Sequence, residues 1–175
     1  MHRIEEARNV SYDCSFGSAC VALVLPGNRK MPPVQILVVD DHRVVRRAIC
    51  QLLSSDPILN VVCETADGEQ AVQKAEELQP NLVLLDISLP GISGIEAARR
   101  VRRVSPNSQI IFLSQHDSLQ MAKDAFNTGG HGYVAKSDAG SELLNAIHAV
   151  RAGKQFVSQR IALQGWSTET ARPAG

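Results

Sequence analysis

The chain has 175 residues, enough for one domain with a modest core and too few for two of ordinary size. Its 18 basic residues balance 18 acidic ones, which excludes a whole-chain electrostatic attraction to nucleic acid or to an anionic membrane surface. No stretch approaches the roughly 18 apolar residues that span a bilayer. Hydrophobic residues make up 44% and aromatic ones only 4%, so the expected core is aliphatic.

Residues 1–32 differ from the rest of the chain. They mix charges of both signs, break at Pro26-Gly27 and Pro32-Pro33, and hold one apolar run, Ala19 to Leu25, too weak for a signal segment. They read as a poorly ordered extension with at most one short strand. The four cysteines form no C-x-x-C and no paired metal spacing. Cys14 and Cys20 fall in the extension. Cys50 and Cys63 lie in apolar surroundings, as reduced core residues of a cytoplasmic protein do.

From Val34 a regular alternation begins. Val34 to Val39 reads as a buried strand ending in Asp40-Asp41, and Arg43 to about Ser54 as a helix with Val45, Ile49, Leu52 and Leu53 on one side. Ile58 to Glu64 is a second strand. Asp67 and Gln70 form a capping box for a helix that runs to Leu78. Leu82 to Leu85, four apolar residues in a row, is a strand buried on both faces and ends on Asp86. Pro90-Gly91 turns the chain, and Ser93 with Glu96 caps a helix to about Arg103. Gln109 to Leu113 is a fourth strand, leading into Ser114; Asp117 opens the next helix, which closes at Gly129-Gly130. Gly132 to Ala135 is a short fifth strand leading into Lys136. The last helix starts at Ser137-Asp138, carries Leu143, Leu144, Ile147 and Val150 on one stripe, and ends at Gly153.

Five strands alternating with five helices predict an α/β fold: a parallel five-stranded sheet, order 2-1-3-4-5, in a three-layer α/β/α sandwich. The domain is expected over residues 33–158, and residues 159–175 as a flexible polar tail. In a parallel sheet all carboxyl ends of the strands share one edge. Asp40, Asp41, Asp86, Ser114 and Lys136 therefore converge on one shallow cleft. Neighbouring carboxylates repel by about 4 kcal/mol at 4 Å near a surface, so a cation is the natural remedy. All-oxygen donors with room for water suit Mg²⁺. Asp41 and Asp86 are expected as direct ligands, Asp40 through water, with a backbone carbonyl near Ser88.

These residues carry a resemblance. Asp40-Asp41, Asp86 followed by Leu89-Pro90-Gly91 and Gly94, Ser114, and Gly132-Tyr133-Val134 with Lys136 resemble the response-regulator receiver domain of two-component signalling. The likeness covers about Val34 to Ser158. Asp40-Asp41-His42, His116-Asp117 and Lys136-Ser137 resemble the branch that usually carries a helix-turn-helix output domain. The resemblance implies a flavodoxin-like receiver fold with Asp86 as phosphoacceptor and Lys136 as a point charge on the phosphoryl oxygens. Ser114 and Tyr133 are then the switch pair that reshapes the face of helix four, strand five and helix five. Ser88 and His116 set the lifetime of the phosphate. His42, His131 and His148 have no cluster of partners and read as surface residues.

The implied partner is a histidine kinase or a histidine phosphotransfer protein, and the chemistry is confined to the protein's own phosphorylation and dephosphorylation. The apolar surfaces of helices one and five offer a homodimer interface. Too few residues follow the last helix for a DNA-binding output domain, so no direct nucleic-acid contact is expected. A receiver-like scaffold that is never phosphorylated is one rival. A haloacid-dehalogenase-type phosphatase is another, but it needs an Asp-x-Asp motif, absent from this sequence. No G-x-G-x-x-G or G-x-x-x-x-G-K-[ST] occurs, which disfavours a nucleotide site.

Overall fold

Each central strand places alternate residues on opposite faces, and each face is covered by helices. This is the physical basis of the sandwich. The computed structural model describes residues 32–167. The elements in order are β1 Val34–Val39, α1 Arg43–Leu53, β2 Leu59–Thr65, α2 Gly68–Leu78, β3 Leu82–Asp86, α3 Gly94–Val104, β4 Gln109–Ser114, α4 Leu119–Asn127, β5 Gly132–Ala135, α5 Ala139–Arg151, β6 Phe156–Val157 and α6 Gln159–Ala162. The expected short strand at 19–25, Cys14, Cys20 and the last residues of the tail lie outside the described residues.

The sheet is parallel throughout, in the order β2-β1-β3-β4-β5-β6. Leu82 and Leu84 face α1 and α5, where Ile49, Leu53, Leu143, Ile147 and Val150 are buried. Val83 and Leu85 face the other way, towards Ala71, Ala75, Ala97, Ala98, Val101, Ala122 and Ala125 of α2, α3 and α4. Alanine dominates this second layer, which lets three helices lie close to the sheet. No helix among the described residues is long and apolar enough to cross a membrane.

The three-layer sandwich and the strand order through β5 match the expectation. The end of the sheet differs. A sixth strand, Phe156–Val157, pairs in parallel with Gly132 and Tyr133. Two residues are too few to show a period of two, so no alternation in the sequence marks this strand. Gly153, at φ +76°, turns the chain back towards the sheet after α5. The tail expected from residue 159 also begins differently: α6 follows at once and buries Ile161 completely.

Helix starts differ by small steps. Asp67 caps α2 as expected, accepting the Gln70 N–H at 2.9 Å. Ser93 caps α3 through the Glu96 N–H at 3.3 Å, but the Glu96 carboxylate turns away to Arg100. The cap of α4 is Ser118 rather than Asp117; its Oγ accepts the Met121 N–H at 3.3 Å. The last helix begins two residues late, because Lys136–Asp138 form a 3-10 turn first.

Candidate functional site

Register brings the acids together. Val39 pairs with Leu85, so the next residues, Asp40 and Asp86, stand side by side on adjacent strands. Both carboxylates are buried, while the Asp41 side chain is partly exposed. Backbone amides fix two of them: His42 N–H donates to Asp40 Oδ1 at 2.8 Å, and Ser88 N–H donates to Asp86 Oδ1 at 3.1 Å. The Arg46 guanidinium holds the Asp40 carbonyl from α1.

Lys136 completes the group from the end of β5. Its Nζ lies 2.7 Å from Asp86 Oδ2 and 2.7 Å from Asp40 Oδ2. The first contact is a hydrogen bond; Asp40 Oδ2 is met by the ammonium charge without hydrogen-bond geometry. Burial by itself lowers the lysine pKa, but the two carboxylates outweigh it and hold the pKa above the ordinary lysine value. Lys136 is thus a fixed cation at neutral pH.

One ammonium against three carboxylates leaves the cluster with an excess of two negative charges. Asp40, Asp41, His42 and Asp86 each offer a ligand atom within 4.8 Å of one another. A buried carboxylate oxygen without a well-formed hydrogen bond, oxygen donors from separate strands and one solvent-facing acid fit a hydrated Mg²⁺.

Gly94 lets the start of α3 lie against the end of β3. A Cβ there would meet the Asp86 carbonyl oxygen at 2.0 Å, so α3 can start against the end of β3 only with glycine.

Ser114 ends β4, and Tyr133 lies in the adjacent β5. Ser114 Oγ accepts the His116 N–H at 3.0 Å and contacts Met121 Sδ at 3.6 Å. Tyr133 is fully buried and its hydroxyl donates to the His116 carbonyl at 2.8 Å. Burial raises the Tyr133 pKa, a shift that Ser114 opposes and the Asp117 charge reinforces. The phenol therefore stays protonated and remains a donor.

A family model described as the response regulator receiver domain matches residues 36–148, well over half of the chain. The chain belongs to the response regulator receiver family. The receiver is 36% identical over 129 residues to the transcriptional activator protein ExaE of Pseudomonas putida, covering 74% of this chain and 60% of that protein. It is 35% identical to the nitrate/nitrite response regulator protein NarL of Escherichia coli K12, with 74% and 60% covered. It therefore spans about 60% of the length of these curated relatives. A crystal structure of a LuxR-family two-component response regulator from Aurantimonas superposes with a TM-score of 0.72 at 37% identity, over 75% of this chain and 94% of that one. These relatives are bacterial, the fold is the flavodoxin-like receiver fold, and the family's members act in two-component signalling.

Of the three histidines expected at the surface with no cluster of partners, His42 and His148 are exposed, although His42 sits within the aspartate cluster, and only His131 is drawn partly into the interior. His42 Nδ1 lies 2.6 Å from Asp41 Oδ1. His148 Nε2 lies 3.2 Å from Asp56 Oδ2. His131 is half-buried, and its Nδ1 accepts the Ile110 N–H at 3.1 Å. Each partner comes from tertiary placement or from a rotamer, neither of which leaves a spacing signal. The two described cysteines are free and half-buried. Burial, reinforced by Glu64, pushes the Cys50 thiol up to about 11, so it is inert at neutral pH.

Proposed function

We propose that residues 33–158 form the phosphoacceptor module of a two-component relay, in which Asp86 takes a phosphoryl group from a phosphohistidine on a histidine kinase or phosphotransfer protein. One observation carries this reading: a buried ammonium lies 2.7 Å from each of two carboxylates that separate strands deliver to the same edge. Asp86 Oδ1 is tethered to the Ser88 amide and Oδ2 to Lys136, so the carboxylate is held in one orientation. Its oxygen forms the new O–P bond as the N–P bond of the donor breaks, and the donor imidazole leaves with the electron pair. Asp41, Asp86 and the Ser88 carbonyl would hold Mg²⁺ directly and Asp40 through water; the ion supplies charge neutralisation between carboxylate and phosphoryl oxygens. Lys136 stabilises the same oxygens from the β5 side.

Ser114 then turns its hydroxyl from His116 to the new phosphate, and the rearrangement spreads through Tyr133 to α4, β5 and α5. This is a shift between two populated states. Ser88 and His116, two residues beyond Asp86 and Ser114, tune how water reaches the acyl phosphate. The setting is cytoplasmic, the protein turns over only its own phosphate, and α1 and α5 supply a homodimer surface.

Incubation with Mg²⁺ and acetyl phosphate, read by intact mass, tests the assignment. The expected result is a gain of one phosphate that is absent in Asp86→Asn. Exchange of Ser88 or His116 should change its rate of decay. No gain in the unaltered protein would favour a scaffold that is never phosphorylated.

A further inference from the structure

The polypeptide after α5 folds back over the side of the molecule that carries Ser114 and Tyr133. Ser158 ties it to β5: its Oγ accepts the Ala135 N–H at 2.9 Å and its N–H reaches the Tyr133 carbonyl at 2.9 Å. Ile161 is fully buried in the core layer of α2, α3 and α4. Further on, Gly165 takes φ +96°, a left-handed turn that suits glycine, and Trp166 rests on Phe126 of α4 with ring centroids 4.6 Å apart.

Between these two anchors the segment grips the loop that joins β4 to α4. Gln164 holds it at two backbone positions: Nε2 donates to the Asp117 carbonyl at 3.0 Å, and Oε1 accepts the Leu119 N–H at 3.3 Å. Arg160 lies 3.6 Å from the Asp117 carboxylate and 3.2 Å from that of Asp138, just past Lys136. The same loop is held from inside by Ser114 at the His116 N–H and by Tyr133 at the His116 carbonyl. A few consecutive residues thus connect the phosphoacceptor edge to the C-terminal segment.

We propose that residues 156–166 are a latch that reads the state of Asp86. This rests on the phosphoacceptor reading above. When Ser114 turns to a phosphoryl group, the His116 N–H loses its acceptor and the loop moves with Ser114. The first half of the latch cannot follow, because β6 and Ile161 are fixed to the sheet and the core. Gln164 then loses both partners; at 3.0 and 3.3 Å these bonds have little length to spare. The end of the segment is then left with the exposed Arg160–Asp117 pair and the packing of Trp166 beside an exposed Leu163, and Trp166 leaves Phe126. Release uncovers the apolar flank of α4. The holding contacts include two neutral hydrogen bonds, two Arg160 ion pairs and one ring pair, each individually weak, so a modest bias suffices to open them.

Trp166 is the only tryptophan of the chain, which makes the latch directly observable. The full chain is treated with acetyl phosphate and Mg²⁺, and tryptophan emission, acrylamide quenching and intact mass are followed together. The expected result is a red shift and stronger quenching that rise with the mass gain and are absent in Asp86→Asn. A mass gain with unchanged emission would overturn the latch and leave the phosphoacceptor reading standing; no mass gain would remove both. Gln164→Ala lies outside the pocket at an exposed position. It should show the red-shifted emission before phosphorylation, no further shift after it, and severalfold tighter binding of beryllofluoride, because linked equilibria act in both directions. Emission of Gln164→Ala identical to that of the unaltered chain would also sink the proposal.

Discussion

Lys136 decides the electrostatics of the site. It is the one cation among three carboxylates, two of them buried, and its contacts with Asp40 and Asp86 are equal in length. Lys136→Met leaves two buried acids facing each other. The expected loss is about 3 kcal/mol of stability in buffer free of divalent ions, measured by urea unfolding, with partial recovery on adding Mg²⁺. His131 shows a different residue-scale effect. Burial, helped by the Arg102 charge, lowers its pKa, and its Nδ1 must stay unprotonated to accept the Ile110 N–H. Above about pH 6.5 the imidazole is neutral in both folded and unfolded chains, so it contributes no slope there. Below that, the unfolded chain binds the proton first, and stability falls until the lowered folded pKa is reached. His131→Asn keeps an acceptor without a titrating group. It should flatten the stability profile below about pH 6.5 in urea titrations.

At the scale of elements, the junction between β3 and α3 is the least forgiving. Gly94 N–H donates to the Ile87 carbonyl at 2.9 Å, and a Cβ on Gly94 would collide with three backbone atoms of Asp86 and Ile87. None of these is a flexible side-chain end. Gly94→Ala should therefore cost about 3 kcal/mol by urea unfolding and slow labelling of Asp86, because the strand end must shift. The conformational freedom of glycine is incidental here; space is the constraint. Gly68 packs under milder pressure: its would-be Cβ meets Ile92 Cγ1 at 2.6 Å, a side-chain atom that can move, and the Ile92 carbonyl oxygen at 3.0 Å.

For the molecule as a whole, Mg²⁺ should act as a folding ligand. The site draws on β1, β3 and β5 and therefore exists only when the sheet is assembled. An ion that binds the folded chain alone stabilises it by about 1.4 kcal/mol at ten times its Kd. The midpoint of urea unfolding should rise with Mg²⁺, and the rise should disappear in Asp41→Asn, which removes a ligand from the rim without emptying the core. An unchanged midpoint in the unaltered chain would argue against a folded-state metal site.

The order of hydrophobic runs and breakers was enough to find β1 to β5, their helices and the edge on which Asp40, Asp86 and Lys136 meet. Buried parallel strands are continuous aliphatic runs, and their carboxyl ends lie on one side by topology alone. Tertiary structure alone decided the rest: that His131 turns inward to Ile110, that Tyr133 donates to His116, that Ser118 rather than Asp117 caps α4, and that Phe156 to Trp166 closes over the β4–α4 loop. A two-residue strand has no period, a rotamer has no spacing, and a glutamine that meets a backbone carbonyl 47 positions away leaves no local pattern. Local sequence periodicity reports which face is buried; it carries no information about which distant atoms occupy the other side of the contact.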